Sequence, residues 1–174
     1  VVTPESIVVR MRSRANAQSN PCAQLKGSTS VEQLLAEPTF VSPLRRHDCP
    51  PITDGASAMI IASADVAARY CKRPAWVRGI DHRMETGILG ARDLTRSPST
   101  RLAGEKAGVA RGKVDLAELH APFSHQEIIL RRELGLGDDV PVNLSGGALS
   151  GNTMMAAGLD RIGHVAAQIM AGKA

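Results

Sequence analysis

Two short stretches of the chain carry residue types that could do chemistry. The first is Glu118-Leu119-His120-Ala121-Pro122-Phe123-Ser124. Val114 to His120 alternates apolar and polar side chains, the period of a strand, so His120 would emerge at a strand end just before a helix. Layered α/β proteins display reactive groups at such junctions, and an imidazole there can exchange a proton near neutral pH. A histidine in this place can equally be a structural or surface residue, and residue types leave both uses open. His125, just inside the helix, reads as a surface residue.

The second stretch is Asn143-Leu144-Ser145-Gly146-Gly147-Ala148-Leu149-Ser150-Gly151-Asn152. Paired glycines let backbone N–H groups come close to a ligand, and a helix start after them favours an anion or a developing oxyanion. The alternative is a tight turn that needs positive φ. The stretch matches neither G-x-G-x-x-G nor G-x-x-x-x-G-K-[ST], so the nucleotide phosphate-loop motifs are absent.

The 3 cysteines, Cys22, Cys49 and Cys71, stand singly without a C-x-x-C pair. That pattern excludes a zinc finger and a disulfide framework, gives no metal site, and fits a reducing cytoplasm. A reactive thiolate needs a helix N-terminus or a cationic neighbour. Cys22 follows Pro21 in a loop and Cys71 ends a helix, whereas Cys49 lies near Arg45, Arg46 and His47 and has the best claim of the three. Spacing assigns no serine–histidine–acid set.

The elements that must position these stretches alternate. Thr3-Pro4-Glu5 starts a helix with Thr3 as its cap, ending before Asn20-Pro21. Ser30-Val31-Glu32-Gln33 is a capping box opening a short helix that Pro38 closes. Phe40 to Gly55 reads as an extended loop, Ala56–Ala62 as a buried strand, and Ser63 caps a helix over Ala64–Tyr70. Ala75 to Ile80 reads as the first strand of a second unit, and Ser97-Pro98-Ser99 opens a helix to about Gly108. Ser124-His125-Gln126-Glu127 forms a second capping box whose helix runs to Gly135, and Val140–Asn143 is a short strand. Asn152 or Thr153 caps the last helix, where Met155, Leu159, Ile162, Ala166 and Ile169 form one apolar face. Strands alternating with helices imply an α/β layered fold.

Composition narrows the function classes. With 174 residues, 43% of them hydrophobic and 22% charged, the chain can bury a core and is not of disordered composition. No stretch approaches a membrane span, and no leader is read in Val1–Glu5, which leads straight into helix-like sequence. A net charge of +4 is compatible with nucleic acid, but one Trp, one Tyr and two Phe make too few aromatics for a base-stacking platform. The basic residues are also scattered, so nucleic acid is not the expected partner. Mild positive charge suits an anionic ligand such as a nucleotide-bearing thioester.

Four motifs together resemble the thiolase superfamily, specifically its sterol-carrier-protein-type thiolases and lipid-transfer-protein thiolase homologues. Asn20-Pro21-Cys22-Ala23-Gln24 is similar to that group's Asn-Pro-Tyr-Ala-Gln. Ser42-Pro43-Leu44-Arg45 through Asp48-Cys49 and Asp54-Gly55-Ala56 resembles its loop and the last strand of its N-terminal half. Glu118-Leu119-His120 with Phe123-Ser124 resembles Glu-Leu-His-Asp-x-Phe-Ser, and Asn143 with Ser145-Gly146-Gly147 resembles Asn-Pro-Ser-Gly-Gly.

The resemblance implies a thiolase-like layered αβαβα fold, present in part. Residues 1–73 would be the end of the N-terminal domain with its loop segment, and 74–174 the C-terminal domain lacking its last strands. It implies a homodimer acting on coenzyme A thioesters, with no further cofactor, in lipid or sterol metabolism. In that chemistry a cysteine is acylated, a histidine and a second cysteine move protons, and an oxyanion hole stabilises developing charge. His120 matches the histidine that helps polarise the thioester carbonyl. Ser145, Gly146 and Gly147 match the loop that shapes the site floor, with Phe123 beside the substrate.

Departures from the pattern bear on the reaction. Where the family has Gly-His-Pro, this chain has Gly151-Asn152-Thr153, one residue closer to the glycines. Asn152 can hold an oxyanion but cannot take a proton at neutral pH, so it cannot activate a thiol. The resemblance places the nucleophilic cysteine before Val1 and the second cysteine after Ala174, which makes ordinary thiolysis by this chain alone improbable. Three expectations follow: a thiolase-like enzyme of which this is a part; a retro-aldolase of steroid side-chain degradation acting with a partner protein; or a non-catalytic acyl-CoA or lipid-binding or interaction subunit.

Overall fold

The computed structural model describes residues 4–174. Thr3, the expected first cap, lies outside the described residues. Helix α1 (Pro4–Asn16) has Pro4 in its first turn, where the missing N–H costs nothing. Ser6, Ile7, Val9, Arg10 and Ser13 turn inward, while Val8 faces solvent. Helix α2 (Val31–Ala36) opens with the expected capping box: Ser30 Oγ accepts the Gln33 N–H at 3.2 Å and Gln33 Oε1 accepts the Ser30 N–H at 3.0 Å. Two otherwise orphaned donors are thereby satisfied.

Strands β1 (Thr39–Val41) and β2 (Leu44–Arg45) make an antiparallel hairpin in the region expected to be only loop. Helices α3 (Ala64–Tyr70), α4 (Pro98–Ala107), α5 (Ser124–Glu133) and α6 (Ala157–Met170) follow. At the start of α4 the Glu85 carboxylate accepts the Ser99 N–H at 3.0 Å and its hydroxyl at 2.5 Å. An anion there complements the positive end of the helix dipole. Gly108 ends α4 with φ 92°, a left-handed conformation suited to glycine.

The core lies where α1 crosses α5 and the loop after Val142. Ile7, Val9, Leu119, Ala121, Val142, Ala148 and Leu149 are buried there. Burial of each larger aliphatic side chain contributes about 1.5–3 kcal/mol. Polar ties reinforce the crossing: Arg12 pairs with the buried Glu127, and Ser124 Oγ donates to Asp48 Oδ1 at 2.5 Å.

Several sequence expectations are corrected. Ala56–Ala62 is not a buried strand: the segment has no regular structure, Ile60 is 95% exposed, and no strand pairs with it among the described residues. Ala75 to Ile80 likewise forms no strand, with Val77 and Ile80 exposed. A strand needs a neighbour for its N–H and C=O groups, and local pattern cannot supply one. Val114–His120 and Val140–Asn143 meet only at a parallel bridge, Ala117 to Val142. Ser124 is not the cap of α5 but its first residue, because its hydroxyl is taken by Asp48; Gln126 Oε1 instead accepts the Phe123 N–H at 3.0 Å.

Neither Asn152 nor Thr153 caps α6, since the tight turn Met154–Ala156 intervenes. The inward face of α6 is also not the apolar stripe. Ala157 and Arg161, one turn apart, are buried, whereas Met155 is 99% exposed and Ile162 faces solvent. A buried partner for the Arg161 guanidinium, described next, outweighs the local hydrophobic pattern. No helix among the described residues is long and apolar enough to cross a membrane.

Candidate functional site

The site is built where the strand-like segment ending at His120 meets the loop after Asn143. Ala117 N–H donates to Pro141 O at 2.9 Å and Asn143 N–H to Ala117 O at 2.8 Å. Asn143 then leaves the extended path with φ 54°, a conformation asparagine tolerates better than most residues. Its side chain continues the ladder in place of backbone: Oδ1 accepts the Leu119 N–H at 2.7 Å, and Nδ2 donates to Glu127 at 2.8 Å.

The glycine pair follows with φ 93° at Gly146 and φ 61° at Gly147. A side chain at Gly146 would sit 2.7 Å from Ala17 Cβ, and one at Gly147 would sit 2.9 Å from Asn143 Cγ. Conformation and crowding both demand glycine, so the tight-turn use is realised. The two N–H groups are engaged within the turn, Gly146 to Asn143 O at 2.9 Å and Gly147 to Ser145 Oγ at 3.1 Å.

Glu118 ties the two segments together. Its carboxylate accepts the Ser145 N–H at 2.8 Å and the Ser145 hydroxyl at 2.6 Å. Arg161, reaching in from α6, donates to Ser145 Oγ at 2.5 Å and lies 3.4 Å from Glu118 Oε2. The arginine and glutamate side chains are only 7% and 2% exposed. Buried charges persist when they are paired and hydrogen-bonded, and here the pairing engages Arg161 Nη1 and Nη2 while its buried Nε has no partner. Arg161 also pairs with Asp160, and Asn20 Nδ2 donates to Ser145 O at 2.9 Å from the opposite wall.

Beside this network opens a cleft of about 310 Å³ whose lining includes Asn20, Cys22, Thr53, Ser145, Gly147 and Arg161. The motif at Asn20, the segment before Gly55 and the glycine loop thus converge, although they are far apart in sequence. Asn152 is buried beside the cleft at 4% exposure, between the lining residues Gly151 and Thr153. Its backbone pairs with Thr53, N–H to Oγ1 at 3.0 Å and O from N–H at 3.1 Å, while its Oδ1 has no hydrogen-bond partner.

Of the expected site residues, Ser145 and Gly147 line the cleft and Gly146 packs behind it against Ala17. His120 lies outside the lining on the exposed surface, and Phe123 stacks on His125 with ring centroids 5.9 Å apart. Partial burial, and then the Arg161 guanidinium, lower the His120 pKa, which favours the neutral imidazole. Burial, and then Asp48, push the Cys49 thiol up, so the cationic neighbours expected to activate it do not prevail. Sequence reasoning missed Arg161 and ranked Cys22, which lines the cleft, below Cys49, which does not. A charge four residues after Ala157, among small and apolar residues, was the available signal for Arg161. Among the described residues no group of three His, Cys, Asp or Glu side chains could hold a metal ion.

No family model matches the chain. It is 33% identical, over 93% of its length, to 48% of an acetyl-CoA acetyltransferase of Methanothermobacter thermautotrophicus. It is 29% identical, over 74% of its length, to 35% of the benzoylsuccinyl-CoA thiolase subunit BbsB of Thauera aromatica. The chain belongs to the thiolase superfamily.

The chain spans about half the length of the curated thiolases it matches. In three dimensions it is similar to a chain of the Ltp2-ChsH2(DUF35) aldolase, with TM-score 0.78 and 20% identity, covering 98% of this chain and 52% of that one. The fold is a partial thiolase-like α/β fold.

Proposed function

We propose that the protein processes acyl-CoA thioesters, making or breaking a C–C bond in a 3-oxoacyl- or 3-hydroxyacyl-CoA of lipid or sterol metabolism. The observation that carries the choice of reaction is Asn152. It stands buried beside the cleft where the resembling family has a histidine, with Nδ2 3.7 Å from Met154 Sδ and Oδ1 unpartnered. An amide takes no proton near neutral pH, so Asn152 does not activate a thiol, and Nδ2, held only by a weak thioether acceptor, is the group that donates to an oxyanion. Ordinary thiolysis is therefore the less favoured reaction.

Retro-aldol cleavage fits these groups better. A base removes the 3-hydroxyl proton, the bond between C2 and C3 breaks, and the electron pair moves onto the thioester carbonyl as an enolate. In this reading His120, held neutral, donates to the thioester oxygen, and Asn152 assists. Ser145, Gly146 and Gly147 shape the floor, and Phe123 flanks the acyl chain. Residues 1–73 serve as the end of the N-terminal domain and 74–174 as most of the C-terminal domain. The assembly is a homodimer in the cytoplasm, working with a partner protein, and the coenzyme A thioester is the substrate without a further cofactor. A second reading, a non-catalytic acyl-CoA-binding subunit, is favoured by one observation: burial, and then Asp48, push up the thiol of Cys49, the cysteine with the most cationic neighbours in sequence.

The test offers the intact natural polypeptide a 3-hydroxyacyl-CoA alone, and separately a 3-oxoacyl-CoA with coenzyme A, and identifies products by mass. Aldehyde or ketone release from the first supports retro-aldol cleavage. Binding without turnover supports the subunit reading, and failure to bind either thioester overturns both. His120→Ala is expected to lower kcat about 10²-fold or more while changing acyl-CoA affinity little; an unchanged kcat removes His120 from the reaction.

A further inference from the structure

We propose that Arg161 is the positioning residue of this site: its buried guanidinium clamps Glu118 onto Ser145 and so fixes the segment bearing His120 against the glycine loop. The proposal rests on the reading above, that these two segments form the reaction site. It goes beyond that reading by naming what holds them in register.

Three observations converge on Arg161. First, the Ser145 hydroxyl is saturated: it donates to Glu118 Oε2 and accepts from Arg161 Nη1 and the Gly147 N–H. One donor and two acceptor positions are all a hydroxyl has, so this arrangement fixes the rotor and the start of the glycine turn together. Second, Glu118 and His120 are separated by a single residue, and the Ala121 N–H donates to Leu119 O at 3.1 Å, a tight turn centred on His120. Leu119 between them is buried. Fixing the Glu118 carboxylate therefore fixes the origin of the His120 side chain. Third, further polar groups crowd around the clamp. Arg161 Nη2 pairs with Asp160, Asp160 Oδ1 lies 3.6 Å from His164 Nε2, and His164 lies 3.5 Å from Asn20, which donates to Ser145 O.

Two neutral side chains could hold a loop, but they would not supply the positive charge that, after burial, lowers the His120 pKa. The charged and titratable groups facing Arg161 are Glu118 from the strand-like segment, and Asp160 and His164 from α6 itself. The glycine loop contributes only the Ser145 hydroxyl and backbone. A planar guanidinium can reach the serine, the glutamate and the aspartate at once, which the point charge of a lysine cannot.

The experiment compares wild type, R161K and R161Q in the intact natural polypeptide by NMR, reading hydrogen exchange at the Ser145 amide and the titration of the His120 ring. R161Q is expected to speed Ser145 exchange about tenfold or more and to raise the His120 midpoint. R161K keeps the charge and loses the fork, so Ser145 exchange speeds up while the His120 midpoint stays near wild type. R161Q with both readouts unchanged overturns the proposal. Should R161Q not fold, R161K alone decides: a Ser145 amide as protected as in wild type overturns the clamp. Neither readout requires substrate, so a protein that binds no acyl-CoA would sink the functional reading while leaving the clamp measurable. With turnover in hand, R161K is expected to lower kcat about tenfold with KM nearly constant, and a change confined to KM would count against positioning.

Discussion

Asn143 and Leu119 are joined by a hydrogen bond of 2.7 Å from the Leu119 N–H to the Asn143 side-chain oxygen, at the point where backbone pairing between their two segments stops. The asparagine imitates one more rung of a parallel ladder and at the same step turns the chain into the glycine loop. Both sides of the candidate site therefore depend on one buried amide.

Asn143→Ala leaves the Leu119 N–H without its acceptor and removes a donor from the buried Glu127 carboxylate. Urea unfolding should show a loss of about 2–4 kcal/mol, the cost of stranding two buried polar groups. Asn143→Gly relieves the φ of 54° but restores neither bond, so it should remain clearly destabilised. A loss below about 0.5 kcal/mol for Asn143→Ala would mean that the side chain does not hold the junction.

Glycines in this chain divide into those the fold requires and those it does not. Gly147→Ala forces a side chain to 2.9 Å from Asn143 at φ 61° and should cost about 1–3 kcal/mol. Gly163, inside α6, has nothing within 4 Å of where a side chain would begin. Gly163→Ala should stabilise by about 0.5–1 kcal/mol through helix propensity. Thermal melts of the two variants should move in opposite directions, and a shift of the same sign would contradict the assigned environments.

Glu85 sets a prediction in acid. The Ser99 side chain, then its backbone N–H, and less strongly Arg92, hold the Glu85 carboxyl down from 4.5 to about 2. A carboxylate that is easier to ionise when folded adds stability in full above its unfolded value. That contribution is lost as the pH falls from 4.5 toward about 2. Glu85→Gln should flatten the stability profile across this window and change it little elsewhere. Denaturant midpoints measured along the window decide it, and an unchanged slope in the variant would show that the carboxylate does not anchor α4.

Much of the helical structure was legible in the sequence. Pro4, the Ser30–Gln33 box, Ser97-Pro98 and the turn at Gly108 act within a few residues of themselves, so local chemistry suffices to place those helix ends. The four motifs were equally legible, because each is a fixed run of residue types. Ser145 and Gly147 do line the cleft.

What only the tertiary structure decided involves partners distant along the chain. Ser124 looked like a cap until Asp48, 76 residues earlier, claimed its hydroxyl. The last helix looked set to bury Met155 and Ile162, but it buries Arg161, because Glu118 and Ser145 wait for a cation 43 and 16 residues away. Ala56–Ala62 has the composition of a core strand, yet a strand is completed only by a neighbour, and none lies beside it among the described residues. Periodicity reports which side of an element is apolar. Burial is settled by what packs against it, and a paired charge can outweigh a methyl group for the inward position.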